Sequence, residues 1–125
     1  MKEYRVIIAG SRNFMDYATL ESWCDSILQP KFEDSKTQVV IISGGARGAD
    51  TLGERYAIER HLTLERYPAD WQQYGRSAGI IRNHQMAKRA NAVIAFPKVG
   101  DLNRGTRNMV SVAEKEQLAV NVIWE

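Results

Sequence analysis

The feature that most constrains the fold is a series of short, continuous apolar stretches separated by segments of helical periodicity. Four stretches are mainly apolar and do not alternate regularly with polar residues, as expected of strands that are buried on both faces of a parallel sheet. They are Val6 to Ala9, Val39 to Ile42, Ala92 to Phe96 and Val120 to Trp124. A fifth stretch, Leu62 to Tyr67, alternates with polar residues and stops at Pro68, which predicts a strand at the edge of the sheet.

Helices are predicted between these strands. The first follows a candidate N-cap, Asp16, and is expected to end at Pro30. Its apolar face consists of Tyr17, Leu20, Cys24, Ile27 and Leu28, and the other helices are predicted near Ala49 to Arg60, Ala78 to Arg89 and Thr106 to Gln117. This alternation predicts an α/β fold, a Rossmann-like three-layer sandwich with a mainly parallel five-stranded sheet in one domain, residues 1–125.

The composition excludes several classes of protein. A chain of 125 residues that is 44% hydrophobic is expected to bury one core rather than remain disordered. Its net charge of +2 is too small to predict wrapping of DNA or binding to an anionic membrane. The single cysteine cannot form an intrachain disulfide, and the first residues lack a signal peptide, so we expect a cytoplasmic location without a membrane partner.

Glycine-bearing loops follow three of the predicted strands. The first strand leads into Gly10-Ser11-Arg12-Asn13, in which a glycine allows close backbone approach beside a hydroxyl, a guanidinium and an amide. The second leads into Ser43-Gly44-Gly45-Ala46-Arg47-Gly48-Ala49-Asp50, and the fourth leads into Gly105-Thr106. Each loop alone is also typical of an ordinary turn. Because ligands of such sheets bind at the carboxyl ends of the strands, three loops of this kind together predict an anion site.

Several other polar residues have two interpretations. Arg82 is predicted to lie in the first turn of a helix, where it either contacts a phosphate or is solvated. Asp50 either caps its helix or contacts a ligand, and capping is favoured. Trp71 and Tyr74 belong either to a lid that stacks on a base or to a packed loop. His84 has no second ligand at metal spacing, so no metal site is expected.

Three motifs, Ala9-Gly10-Ser11-Arg12, Ser43 to Asp50 and Pro68-Ala69-Asp70-Trp71, together resemble the YspA-like clade of the SLOG superfamily. The resemblance covers nearly the whole chain. The superfamily includes DNA-processing protein A, which binds single-stranded DNA, and the Lonely Guy phosphoribohydrolases, which release cytokinin bases from nucleotide monophosphates. The resemblance implies a Rossmann-like fold, a nucleotide-derived ligand and a homodimer.

The segment Gly79 to Met109 is similar to the Lonely Guy core, in which an arginine begins a helix and a Pro-Gly-Gly-x-Gly-Thr-x-x-Glu loop follows. The matching residues are Arg82, Met86, Pro97, Gly105 and Thr106. The loop is longer here, Lys98-Val99 replaces the glycine pair, and Asn108 and Met109 occupy the paired glutamate positions. A neutral amide neither stabilises an oxocarbenium ion nor activates water well, so the expected catalytic carboxylate is missing.

The leading hypothesis is that the chain binds a nucleotide or a nucleotide-derived phosphate ligand, as a sensor or as a protein associated with nucleotide processing. The alternative is an N-glycosidase acting on a nucleoside monophosphate or an ADP-ribose-like compound, with Arg82 orienting phosphate and Asp70 or Asp101 as acid or base. Binding of single-stranded nucleic acid is a third hypothesis, ranked below the first. No cofactor is expected. The candidate ligand-binding residues are Gly10, Ser11, Arg12, Ser43, Gly44, Gly45, Arg47, Arg82, Asn83, Gly105 and Thr106.

Overall fold

The computed structural model describes residues 1–124 and contains a five-stranded sheet with helices between the strands. The strands are β1 (Lys2–Gly10), β2 (Thr37–Ser43), β3 (Thr63–Arg66), β4 (Ala92–Phe96) and β5 (Ala119–Val122). The helices are α1 (Tyr17–Phe32), α2 (Ala49–Glu59), α3 (Trp71–Tyr74), α4 (Ala78–Ala87) and α5 (Arg104–Lys115), and a 3-10 helix (Gly75–Ser77) joins α3 to α4. Among residues 1–124, no helix has the length and apolar character that crossing a membrane requires.

The sheet is entirely parallel, with the strand order β3-β2-β1-β4-β5. Val6 pairs with Ala92 and Gly10 with Phe96, so β1 and β4 end side by side at the same edge. The chain runs outward from β1 in one direction to β3 and in the other direction from β4 to β5. The strand order therefore reverses between β1 and β4, and a ligand crevice is expected outside this point in such a sheet. The predicted α/β Rossmann-like fold is confirmed.

The two faces of the sheet carry separate apolar cores because successive side chains of a strand point to opposite faces. Val6 and Ile8 of β1 pack on the side that is covered by α1 and α2. Ile7 and Ala9 pack on the side covered by α4 and α5. Strands β1, β2 and β4 are thus buried on both faces, as their continuous apolar sequences predict.

Of the two edge strands of the sheet, only one was predicted to be an edge. The expectation that β3 is an edge strand is confirmed. The expectation that Val120 to Trp124 forms a strand buried on both faces is wrong: β5 is the opposite edge of the sheet, and Val120 is its one residue that is even partly buried. Val120 packs against one core and Ile123 against the other, but Val122 is 40% and Trp124 55% exposed. An apolar run of this length does not distinguish a central strand from a strand that is covered only in part.

Helix α1 begins as predicted and ends later than predicted. The side chain of Asp16 accepts a hydrogen bond from the N–H of Thr19 at 3.1 Å, which confirms it as the N-cap. Pro30 does not end the helix, which continues to Phe32. Proline lacks the N–H that would bond to the carbonyl of Ser26. Ser26 and Pro30 are both exposed in the last turns of α1, where water can bond to the carbonyl oxygen of Ser26 instead.

Candidate functional site

A cavity of about 620 Å³, the main cavity, opens where the strand order reverses between β1 and β4. Its wall is built by the loop after β1, the start of α2, the middle and end of α4 and the segment that leads from β4 into α5. Arg82 is the fifth residue of α4 and so lies in its second turn, not in the first as predicted. The lining residues are Ala9, Gly10, Ser11, Arg12, Asn13, Ala46, Asp50, Arg82, Asn83, Met86, Gly100, Asp101, Leu102, Asn103, Arg104, Gly105, Thr106 and Met109. Polar groups from four separate parts of the sequence therefore meet at one place.

A second cavity of about 550 Å³, the side cavity, lies beside the first. It is lined by Arg12, Gly44, Gly45, Ala46, Arg47, Pro68, Ala69, Trp71 and Arg82. Arg12, Ala46 and Arg82 line both cavities, so the two spaces adjoin at these residues. The loop after β2, which was predicted to share one site with the other two loops, lies mainly around this neighbouring space.

Arg82 is held in a defined position at the boundary between the two cavities. Its Nε donates to Oδ1 of Asn83 at 3.0 Å, and its Nη1 donates to the carbonyl oxygen of Gly44. The side chain is half-buried, and this burial lowers the pKa of Arg82, although nearby Asp50 opposes the shift. A guanidinium that is partly removed from water and fixed by two protein acceptors is ordered before any anion binds, which reduces the entropy lost on binding.

Asn83 connects Arg82 to helix α5. This side chain is 5% exposed, and its Nδ2 donates to the carbonyl oxygen of Gly105 at 3.3 Å and to Oδ1 of Asn108 at 2.9 Å. Asn108, at a position where the Lonely Guy pattern has a glutamate, is therefore a partner of Asn83. Met109 at the adjacent position is buried and lines the main cavity. Neither of these two residues supplies a carboxylate.

Asp50 is a buried carboxyl in the wall of the main cavity, with 7% of its surface exposed. Its Oδ2 accepts a hydrogen bond from the N–H of Ala46 at 3.2 Å, so it binds the preceding loop rather than capping its own helix. Burial raises the pKa of Asp50 to about 6, against the opposing effects of the Ala46 N–H and Arg82. The sequence favoured a capping role because nothing in the order of residues reveals this burial.

Ser11 and Asp101 connect the loop after β1 to the loop after β4. The hydroxyl of Ser11 donates to Oδ2 of Asp101, and Nδ2 of Asn13 donates to the same oxygen at 3.1 Å. The Ser11 and Asn13 hydrogen bonds lower the pKa of Asp101. Asp101 is thus an ionised acceptor within the main cavity.

Many of the amides that were predicted to hold an anion are already bonded within the protein. The N–H of Gly45 donates to Ser43 Oγ at 3.0 Å, that of Ala46 to Asp50, and that of Asn13 to Ser11 Oγ at 3.0 Å. By contrast, among the described residues no protein group accepts from the N–H of Gly105 or Thr106 in the first turn of α5. The first turn of α5 therefore presents donors to the main cavity at the positive end of the helix dipole.

The remaining predicted residues are distributed as follows. Ser43 is 1% exposed and lines neither cavity. Its hydroxyl donates to Glu54 at 2.7 Å and accepts from the N–H of Gly45, so it stabilises the loop after β2. Asp70 also lines neither cavity, because its side chain caps the short helix α3 through the N–H of Gln73. Trp71 lines the side cavity and is 53% exposed, whereas Tyr74 lines neither cavity.

Within residues 1–124, no three His, Cys, Asp or Glu side chains lie close enough together to hold a metal ion.

The model of the YspA, cpYpsA-related SLOG family matches residues 4–74, which is more than half of the chain. The chain belongs to this SLOG family. The matched part includes most of β1, the loop after β2 and helix α3, but it ends before Arg82 and the start of α5.

Similarity to another protein extends further along this SLOG-family chain. It is 34% identical over 122 residues to the Gene 61 protein of Mycobacterium phage D29, which covers 93% of each chain. The name of that relative describes no activity, so the comparison indicates no ligand. No solved structure gives a significant match.

Proposed function

We propose that this SLOG-family chain, as one domain, binds a nucleotide or another nucleotide-derived phosphate ligand, as a sensor or as a protein associated with nucleotide processing. The observation that carries the proposal is the position of Arg82, which is fixed by Asn83 and Gly44 and shares the main cavity with the first turn of α5. A guanidinium and adjacent backbone donors at a helix start form a combination suited to a phosphate group. A cytoplasmic location and a homodimer belong to the same proposal.

Two further arginines favour an anionic ligand over a neutral one. Arg12 lines both cavities, and Arg104 lines the main cavity at the first residue of α5. The acidic residues of the main cavity only partly offset these charges, since the two carboxyl groups of Asp50 and Asp101 share it with three arginines. The field at this end of the sheet therefore attracts anions although the net charge of the whole chain is small.

A second candidate function, hydrolysis of an N-glycosidic bond, is favoured by one specific observation. Asp50 and Asp101 line the same cavity, and their environments move the two pKa values in opposite directions. Two carboxyl groups separated in this way can divide the roles of proton donor and ionised stabiliser. For this reaction we assign the role of acid to Asp50 instead of Asp70. Asp70 caps α3 and lines neither cavity.

A thermal-shift panel tests binding, and chromatography of the same mixtures tests turnover. The panel contains AMP, GMP, CMP, UMP, ADP-ribose and a single-stranded oligonucleotide. A ligand that binds only the folded chain raises its melting temperature by mass action. We expect at least one mononucleotide or ADP-ribose to raise the melting temperature. Free base in the mixture would favour hydrolysis, and its absence would favour a binding protein.

Matched variants separate the proposed site from general attraction of anions. In Arg82→Met the shift should largely disappear. In Arg107→Met, which removes the same charge from an exposed residue of α5 that lines neither cavity, the shift should remain. Equal loss in both variants would show that binding depends on total charge and would refute the site. Stabilisation by the oligonucleotide alone, lost steeply with salt, would favour the nucleic-acid hypothesis instead.

A further inference from the structure

The two edge strands of the sheet differ in how well they are protected from pairing with a strand of another chain. At the β3 edge, Arg66 is exposed and paired with Glu54, with 2.9 Å between Nε and Oε1. Glu65 of the same strand is paired with Arg5, and Pro68 follows shortly after the strand. Charged side chains and a proline at an edge oppose pairing with a further strand, because pairing would bury the charges.

The edge strand β5 has none of these protective features. From Leu118 to Trp124 the sequence contains no charged residue and no proline. Val122 is 40% and Trp124 55% exposed, although both side chains are apolar. An exposed, uncharged edge of this kind is a template for pairing with another strand. Of the two edges, β5 is therefore the one that favours contact with another chain.

The backbone of β5 presents hydrogen-bonding groups on its outer side. The N–H of Ile123 donates to the carbonyl oxygen of Ala95 at 2.8 Å, so the backbone groups of Ile123 face β4. Because alternate residues of a strand direct these groups to opposite sides, Val120, Val122 and Trp124 direct theirs away from β4. Within residues 1–124 no strand lies on that side of β5. These three residues thus offer N–H and carbonyl groups to a partner strand.

The outward groups are self-complementary about Val122. In an antiparallel pair of two β5 strands centred on this residue, Val122 of one copy lies opposite Val122 of the other. Val120 of each copy then lies opposite Trp124 of the other. Each of these residue pairs exchanges two hydrogen bonds, which gives about six bonds in all. One two-fold rotation relates the copies, so the same surface serves both of them.

The side chains of the same three residues match in this register. Val120 packs against the core on the side covered by α4 and α5, and alternation places Val122 and Trp124 on that side as well. Each indole of Trp124 would lie against Val120 of the other copy, and the two Val122 side chains would lie against each other. Apolar surface then meets apolar surface with no charge buried. This match favours a second copy of the chain as the occupant of the β5 edge.

We propose that two copies of this chain pair through their β5 strands, antiparallel and centred on Val122, so that the two sheets form one continuous sheet. The proposal rests on the homodimer of the proposed function and assigns an interface to it. Val120, Val122 and Trp124 line neither the main cavity nor the side cavity. Substitutions at this interface therefore leave the residues of the proposed anion site in place.

Sedimentation of the full chain over a range of concentrations tests the pairing. We expect a dimer at micromolar concentrations. Val122→Pro removes one outward N–H but keeps the bond from Ile123 to β4, and proline is tolerated in an edge strand when its missing N–H faces away from the sheet. It should raise the dimer dissociation constant at least about tenfold. Val122→Lys, which places two like charges at the centre of the interface, should have the same effect.

Arg66→Pro is the matched control at the other edge. The N–H of Tyr67 donates to the carbonyl oxygen of Ser43, so the N–H of Arg66 also points away from the sheet. This variant should dimerise normally. A dimer that survives both Val122→Pro and Val122→Lys would overturn the β5 interface and leave the homodimer intact, and a chain that is monomeric at every concentration would overturn both. The thermal-shift panel on the same variants reports nucleotide binding separately, because the anion site does not include β5.

Discussion

The Nε atom of Arg82 donates a 3.0 Å hydrogen bond to Oδ1 of Asn83, the next residue of α4. Because Nδ2 of Asn83 donates to the carbonyl oxygen of Gly105 and to Asn108, the amide fixes the guanidinium and the first turn of α5 at the same time. The two proposed phosphate-binding elements are therefore connected through one buried side chain. The orientation of Arg82 therefore depends on how α4 packs against α5.

Asn83→Ala is expected to weaken phosphate binding although Asn83 itself is neutral. Loss of the amide frees Arg82 and removes both contacts to α5, so we expect the affinity for the nucleotide to fall about tenfold and the free energy of unfolding to fall by about 1–3 kcal/mol. Calorimetry and urea unfolding measure the two effects. Gln85→Ala, which removes an exposed amide from the same helix, should change neither.

Gly44→Ala is expected to displace Arg82. A Cβ atom at this position would lie 2.6 Å from Nη1 of Arg82 and 2.9 Å from Oδ2 of Asp50, so the guanidinium must leave the Gly44 carbonyl. Nucleotide affinity should fall as far as it does in Arg82→Met. Gly79→Ala adds the same methyl group at ordinary contact distances of 3.6 Å or more and should bind normally. Unchanged binding by Gly44→Ala would show that Arg82 does not hold the ligand from this position.

Asp50 is expected to make the folded chain less stable as the pH rises. Its folded pKa of about 6 lies above the usual value of 3.8, so the folded state holds its proton more tightly than the unfolded state. The associated stabilisation is complete below a pH of about 4 and is lost as the pH rises through about 6, with a total change of about 3 kcal/mol.

Comparison of Asp50→Asn with the unmodified chain isolates this effect, because the other titrating groups are common to both. The variant should gain free energy of unfolding relative to the unmodified chain between a pH of about 4 and a pH of about 7.5. The measurement is urea unfolding at both pH values. A difference between the two proteins that does not change with pH would show that Asp50 titrates normally.

Ser11→Ala is expected to raise the pKa of Asp101. The Ser11 hydroxyl bond is the largest cause that lowers this pKa, and its removal leaves only the bond from Asn13 and the charge of Lys98. Carbon NMR of the Asp101 carboxyl across a pH titration measures the shift. Ser22→Ala, at an exposed position of α1, should leave the titration of Asp101 unaltered.

The sequence was most informative where the local pattern is periodic. The strands β1, β2 and β4 and the N-cap Asp16 could be predicted because continuous apolar runs and capping chemistry are local properties. The error at β5 has a global cause, since the position of a strand within the sheet depends on what packs beside it. The error at Pro30 arose because a proline in the exposed last turns of a helix removes one backbone hydrogen bond, which water can replace, and the helix can then continue for a few residues.

The candidate site was predictable in its position and less so in its detail. The loops after β1 and β4 had to meet, because parallel strands that are neighbours end at one edge. The burial of Asp50 and the bonding of the Gly45 and Ala46 amides depend on how the loop after β2 folds over α2. The separation into two cavities likewise depends on Arg82, whose path to Gly44 no sequence spacing reveals.

The most direct test of the central claim is an NMR titration of the labelled chain with inorganic pyrophosphate, which needs no assumption about the base. The account predicts saturable shifts of the Gly105 and Thr106 backbone amides, and it predicts that Arg82→Met requires about tenfold more pyrophosphate to reach the same shifts. Shifts confined to another part of the surface, such as the cavity formed by Asp25 and Arg60, would contradict it.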